Sequence, residues 1–376
     1  MIQNDTAFSG ERPSRLLLAF KGGFVAVFLV LVGCILADYD QNFAFSLPAA
    51  LAALLLIAVF LFLCFKIIQH DRFVARHFGI IVAFAAIFLF TAQLFFASRL
   101  RFDPIFDLEA VFRGAQDWAQ TGSFTDYASS TCYGNYFYMF PNNLGALALL
   151  TALFRVALLL HFTDFFAVAT LFCALLFCAA MVLSALCARR LFGAAGGVIS
   201  LLFFLCCPPF YLIAPVFYTD ALSLPFPILA FFLFLRSEAA TTRCRRILYQ
   251  LAMALALAFG ALLKPTVLLC AIAIALFLLC RKQWKKALAW GLLSALVAAL
   301  VFSAFFAFIY RTQLNQTTAQ QLKIPTSYWL ATAVSGKGQF CSDCFVLALR
   351  TPDPTLRDTA LKAVIAEQLH ARDLHS

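Results

Sequence analysis

Charge is what this sequence has least of: Asp, Glu, Lys and Arg make up 12% of its 376 residues. A soluble domain carries about 25% charged residues. A chain this short of polar groups cannot cover a folded surface with them. With 64% hydrophobic residues and a mean hydropathy of +0.91, a water-soluble globule is excluded. The apolar residues come in long continuous runs, which points to an all-α polytopic membrane protein. Acid is scarcer than base, 18 residues against 28, for a net charge of +10. That excess is no nucleic-acid face, because the basic residues fall in short runs between apolar stretches and no nucleic-acid motif accompanies them.

A disulfide framework is also missing, although there are 13 cysteines. Cys34, Cys64, Cys173, Cys178, Cys187, Cys206, Cys207, Cys270 and Cys280 lie in apolar stretches, where cysteine behaves as a small hydrophobe. Cys132 and the pair Cys341-Ser-Asp-Cys344 lie in expected external loops. The C-x-x-C pair could bind metal or close a tight disulfide, but no second pair and no histidines stand at ligand spacing. A structural role is expected for it. No cleavable leader is legible: the first 16 residues are polar and carry Arg12 and Arg15, so the first apolar stretch reads as a retained anchor. Internal repeats and low-complexity tracts are absent as well.

What is present is a series of apolar stretches able to cross a core of about 30 Å. They cover about 22–37, 47–65, 78–97, 165–187, 195–214, 221–235, 247–263, 266–280 and 287–309, with 144–160 ambiguous. Cytoplasmic connections collect Lys and Arg. If 144–160 does not cross, Lys66 to Arg76, Arg189-Arg190, Arg236 to Arg246 and Arg281 to Lys286 all fall on the side of Arg12, Arg15 and Lys21. The expectation is therefore nine spans and a cytoplasmic N-terminus. A re-entrant or interfacial helix belongs to a large first external loop, residues 98–164, and Thr151 and Arg155 share its polar stripe. Residues 1–77 form a cytoplasmic segment with two additional spans, 78–309 a seven-span core, and 310–376 an external C-terminal segment. Pro208-Pro209 should kink or end its span.

On this topology the external face gathers a short list of polar groups. Asp103, Asp107 and Glu109 follow the span 78–97. Tyr218-Thr219-Asp220 lies between two spans, and Lys264-Pro265-Thr266 breaks a long apolar run at an outer turn. A carboxylate at a low-dielectric boundary gains proton affinity and suits a general base, which could deprotonate an acceptor hydroxyl. A lone lysine can hold a leaving phosphate as a compact charge. The string Tyr133-Gly-Asn-Tyr136-Phe137-Tyr138-Met-Phe140-Pro141-Asn142-Asn143 offers flat faces for a sugar ring or an aromatic belt for docking the loop.

These residues, in this order, resemble a family. The acidic loop, Tyr136-Phe137 with Pro141-Asn142-Asn143, Arg189-Arg190-Leu-Phe-Gly193, Phe217-Tyr218-Thr219-Asp220 and Leu262-Leu263-Lys264-Pro265-Thr266 are similar to motifs of the C-type-fold membrane glycosyltransferases. The likeness, over about 78–340, is to the bacterial members of glycosyltransferase family 39, the protein O-mannosyltransferase-like enzymes. It implies a seven-span core and transfer of a sugar, with inversion, from a polyprenyl-phosphate donor to an acceptor hydroxyl at the extracytoplasmic face of the plasma membrane. The acceptor could be a glycan, a lipid or a protein. The family spacing from acid to glycine favours Asp107, fifteen residues before Gly122, as the base, with Asp103 second. Asp220 matches the second-loop acid and Lys264 the outer-turn cation. Tyr136, Tyr138, Asn142, Asn143, Tyr218 and Arg155 are the expected substrate-binding residues. No metal ligands are assigned and no cofactor is required, although a divalent cation would be compatible. Pro325 to Trp329 with Gly336 and Gly338 resembles the start of the external C-terminal part. Relatives continue further, so this chain reads as a C-terminally shortened member. The competing expectation is a transporter or flippase of a lipid-linked or amphipathic substrate, which would favour polar groups at mid-span and two related halves.

Overall fold

The computed structural model describes residues 47–124, 135–335 and 340–373, with positions 26 and 30. The expected first span, Cys132, Tyr133, Gly336 and Gly338 lie outside the described residues. Every regular element described is a helix. The longer ones are α1 (Leu47–Gln69), α2 (Asp71–Arg99), α3 (Phe106–Thr121), α4 (Leu144–Leu159), α5 (Phe165–Leu205), α6 (Pro225–Glu238), α7 (Arg243–Leu263), α8 (Leu268–Cys280) and α9 (Trp284–Thr312). Four more follow: α10 (Gln316–Leu322), α11 (Thr326–Ser335), α12 (Ser342–Arg350) and α13 (Pro354–Asp373).

Among the described residues, 6 helical stretches are long and apolar enough to cross a membrane, and Leu55–Gln69 and Pro265–Cys280 are shorter apolar helices. The chain is an all-α polytopic membrane protein. Its outward faces carry Leu55, Leu56, Phe84, Ile87, Leu292, Leu296 and Leu300, all well exposed, as a surface solvated by acyl chains requires.

The expected spans 165–187 and 195–214 form one unbroken run of helical residues except at Gly193, whose φ of 78° and ψ of −174° no helix contains. A Cβ on Gly197 would meet the Ala185 carbonyl and the Arg189 side chain. On a straight helix Ala185 and Arg189 would lie about 18 Å and about 12 Å from Gly197, so the chain reverses at Gly193 and runs back on itself. Glycine is required at the reversal because its φ lies in the left-handed region. Asp71 fastens the turn by accepting the Ala195 N–H at 3.1 Å, and the Arg189 guanidinium lies 4.3 Å from the Phe78 ring centre. The returning arm stops at Leu205, short of the expected residue 214, because Pro208 and Pro209 cannot continue it. Gln93, fully buried in α2, donates to the Phe210 carbonyl at 2.7 Å and so satisfies backbone at the break.

Helices then alternate between two ends of the bundle. One end gathers 99–106, the region 135–165, Tyr218, Lys264 and the C-terminal end of α9. The opposite turns hold Lys66 to Arg76, Arg189-Arg190, Arg236 to Arg246 and Arg281 to Lys286, the basic runs picked out from the sequence. Lys286 pairs with Glu238 there, tying α9 to α6.

Helix α4 has both ends fastened at the first of these ends. At its start, Gly145 lies so close to the last turn of α7 that a Cβ would strike the Leu262 carbonyl. Past its end, Asp164 makes a two-bond pair with Arg101, just beyond α2, at 2.7 and 2.9 Å. Stretch Pro141–Leu159 is long and apolar enough to span, yet its contacts anchor both termini to one end of the bundle. The expected polar stripe is corrected. Arg155 is exposed, but Thr151 is buried and its hydroxyl bonds back to the Leu147 carbonyl at 2.8 Å.

Candidate functional site

Helix α3 is amphipathic and packs its buried face, Leu108, Val111, Phe112, Ala115 and Trp118, on α4. That packing leaves Asp107, in the first turn of α3, exposed at the helix N-terminus, where a carboxylate is favoured by the helix dipole. The preceding residue, Phe106, has φ of 54°, uncommon for any residue with a Cβ. Such outliers gather at functional sites.

Two tyrosine hydroxyls converge on this carboxylate, and two asparagines extend the network behind them. The Tyr136 hydroxyl donates to Asp107 Oδ1 at 2.8 Å. The Tyr218 hydroxyl lies 3.2 Å from Asp107 Oδ2 and 2.9 Å from Asn143 Oδ1. The Asn143 amide donates to the Tyr136 oxygen, and the Asn142 amide donates to Asn143 Oδ1 at 3.2 Å. Tyr218 has one proton and two acceptors, so donating to Asn143 leaves Asp107 Oδ2 open for another donor. Burial, and then charge on the facing Tyr218 and Asp107, push the Tyr136 phenol well above its usual range. Burial followed by Asp107 does the same for Tyr218. Both stay protonated donors across the physiological range.

The backbone that aims these groups is irregular. Asn135, with φ of 57°, opens the one-turn helix Tyr136–Met139, and Pro141–Asn143 forms a 3₁₀ turn that leads into α4. Asn143 is almost completely buried, and Phe137 beneath it is wholly buried against Phe124. Tyr218 follows the Pro208-Pro209 break and precedes the short helix Thr219–Ser223, so it is held by the packed Phe217 next to Phe112 and Phe166.

Asp220 and Lys264 meet as an ion pair between this short helix and the end of α7. The Lys264 side chain is 30% exposed and that of Asp220 is 70% exposed, so the pair sits at the surface with its acid largely in solvent. Sequence neighbours Tyr218 and Asp220 thus join the Asp107 cluster to the lysine.

Three expected members go elsewhere. Asp103 is not part of the network. It lines a separate cavity of about 270 Å³ with Arg101, Arg113, Gln116, Asp164 and Phe166. Arg155 donates to the Trp118 carbonyl at 3.2 Å with its guanidinium 6.0 Å from the Trp118 ring centre, a clamp between α3 and α4. Tyr138 accepts the Asn315 N–H at 3.1 Å and so docks the chain leaving α9. The aromatic string is therefore packing as much as surface. Among the described residues no three His, Cys, Asp or Glu converge as metal ligands.

Sequence reasoning missed the cap over this end. Helices α10 to α13 close on Met139 and Phe140 through Ile324, Tyr328, Phe345 and Leu361. The centre of the cap is Arg357, 3% exposed. Its guanidinium donates to the carbonyls of Gln321, Leu322, Lys323, Thr351 and Pro352 at 2.9–3.3 Å. These are the spare carbonyls at the end of α10 and just past α12. An arginine in an otherwise polar helix gives no sign of this from sequence.

The site thus belongs to a multi-span helical membrane protein with an ordered polar cluster at one end. The chain belongs to the family described as conserved hypothetical integral membrane proteins, whose profile matches residues 25–372. No curated protein and no solved structure matches it.

Proposed function

We propose that this protein is a membrane glycosyltransferase that takes a sugar from a polyprenyl-phosphate donor and passes it to an acceptor hydroxyl. The observation that carries the reading is Asp107, an exposed carboxylate contacted by two tyrosines, on the same bundle end as Lys264 paired with Asp220. In this scheme Asp107 accepts the proton of the acceptor hydroxyl. The freed oxygen attacks the anomeric carbon from the face opposite the phosphate, and the sugar–phosphate bond breaks with inversion. Lys264 meets the departing phosphate, which competes with Asp220 for the ammonium. Helix α4, anchored at both ends beside the site, lies along the membrane surface as its floor. The basic turns then face the cytoplasm and the site faces outward, in keeping with the bias of Lys and Arg.

Resemblance of the motifs to glycosyltransferase family 39 supports the same assignment, with Asp107 and not Asp103 as base. A carrier that moves charged headgroups would bury ionisable groups between its spans. Among the described residues the one charged side chain that is buried is Arg357, in the cap.

The test is to identify the lipid that copurifies with the full chain and to supply polyprenyl-phosphate sugars in liposomes. A polyprenyl-phosphate lipid and sugar release or transfer that depends on Asp107 are expected. Retention of no such lipid, with no turnover of any donor sugar tried, would remove the proposal.

A further inference from the structure

We infer that Cys341 and Cys344 form a reversible dithiol–disulfide couple that latches the cap described above. Cys341 is the N-cap of α12, in an extended conformation with φ of −109° and ψ of 105°. Its Sγ turns back over the first helical turn and accepts the Cys344 N–H at 3.4 Å. The two sulfurs therefore share one turn. Cβ atoms three residues apart on a helix lie about 5–6 Å apart, wider than the roughly 3.5–4.5 Å of a disulfide. Cys341 is extended and not helical, so its Cβ is not held at helical spacing, and its Sγ already lies over the Cys344 N–H. Burial, and then the hydrogen bond with Cys341, raise the Cys344 thiol above its usual range, as a neighbouring thiol would.

The two cysteines are unequal in a useful way. Cys341 is half-exposed and Cys344 is 3% exposed. A small-molecule disulfide reaches Cys341 first: the Cys341 thiolate attacks it, forming a mixed disulfide and releasing one thiol. Deprotonated Cys344 then attacks the Cys341 sulfur, closes the intrachain bond and releases the second thiol. Two thiols of the protein are oxidised and one external disulfide is reduced to two thiols, so electrons and protons balance.

The couple touches the rest of the molecule through aromatic rings. Phe345, next to Cys344, stacks on Phe140 at 6.5 Å, and Phe140 lies 5.2 Å from Tyr136. Closing the bond stiffens the first turn of α12, the turn that sets Phe345 on Phe140 beside the loop presenting Tyr136 and Asn143. The inference does not depend on the glycosyltransferase reading.

The full chain in detergent is equilibrated with oxidised and reduced glutathione in varying ratio, denatured and alkylated, and its peptides are identified by mass. Loss of alkylation at Cys341 and Cys344 together, restored by reductant, is expected, with a peptide bridged between them. Cys341→Ser should leave Cys344 alkylated at every ratio. A stable glutathione adduct on Cys341, a bridge to another cysteine, or full alkylation of both residues under oxidising conditions would each overturn the couple. Hydrogen exchange in α12 of the unmutated chain gives a second reading. Slower exchange in the oxidised form is expected, and identical exchange would show that the bond latches nothing.

Discussion

Each end of the bundle carries a lysine paired with an acid, and the two pairs are built for different work. At the basic end Lys286 and Glu238 join α9 to α6, with side chains 34% and 20% exposed. At the other end Lys264 meets Asp220, which is 70% exposed and sits on a five-residue helix. The first pair clamps two long helices. The second holds a cation beside a cluster of hydroxyls and amides, with its acid largely in solvent. The surrounding backbone differs in the same sense. The basic end turns at single positive-φ residues, Gly193 and Lys282, and at side-chain caps such as Thr242 accepting the Arg245 N–H at 3.4 Å. The Asp107 end uses positive φ at Phe106 and Asn135, a 3₁₀ turn and a proline break. Departures from regular helix are costly in a membrane protein unless they serve packing or a site, and three of them, Phe106, Asn135 and the Pro141–Asn143 turn, flank one carboxylate.

The comparison predicts a large functional effect at one end and structural effects elsewhere. Asp107→Asn should cut sugar transfer by about a hundredfold or more, the range for loss of a general base, with unfolding temperature nearly unchanged. Asp103→Asn should retain most activity, since Asp103 lines a different cavity. The opposite ranking would move the base to the Arg101 pocket.

Arg357→Ala is expected to loosen the cap by on the order of 3 kcal/mol, because five carbonyls lose a buried charged donor. Faster hydrogen exchange across α10 to α13, with the spans unaffected, is the measurement. Uniform protection across the cap in that variant would deny it the role.

Exchanging the two lysines sharpens the contrast directly. Lys264→Ala should weaken retention of a phosphate-bearing donor lipid by roughly tenfold, about 1.4 kcal/mol, and barely shift thermal unfolding. Lys286→Ala should do the reverse. Equal effects of both variants on lipid retention would mean that the ends do not differ as proposed.

The smallest effect expected is that of pH on the Arg101–Asp164 pair. The hydrogen bonds from Arg101 hold the Asp164 carboxyl below its ordinary value. A depressed carboxyl contributes stability that is present above its unfolded value, near 3.8, and lost as pH falls through the lower folded value. Both side chains are about half exposed, so the loss is small. Asp164→Asn should remove that acid-dependent increment, read by exchange at the junction of α4 and α5. An unchanged acid profile in the variant would assign the pH response to another carboxyl.

Much of the fold was legible. Apolar runs of span length and the placement of Lys and Arg marked the helices and their alternation, because both follow from the bilayer acting on one segment at a time. The reversal at Gly193 fits the two spans expected there, and the Arg-Arg before it marked the turn. Hydropathy carried that span on to residue 214, and the expectation that Pro208-Pro209 would kink or end it was met, since the helix stops at Leu205. Asp107, Tyr136, Asn142, Asn143, Tyr218, Asp220 and Lys264 were chosen from sequence; the fold joins the first five in one network and pairs the last two. Asp103, Arg155 and Tyr138 were chosen on the same grounds and are used elsewhere, because pattern and charge fix a loop's character but not the direction in which each side chain points.

The sequence by itself determined a helical membrane protein with its basic turns on one side and its acidic loop on the other. These are properties of composition and period, read off each helix alone against its solvent. Only the tertiary structure decided that Tyr218 reaches Asp107 across 111 positions of the chain, that Lys264 finds Asp220, and that Arg357 gathers the carbonyls of two separate segments. Each of those depends on where helices end and how closely they approach. That is set by packing between segments, at the Gly145–Leu262 contact and the Gly193 reversal above all, and no local pattern encodes it.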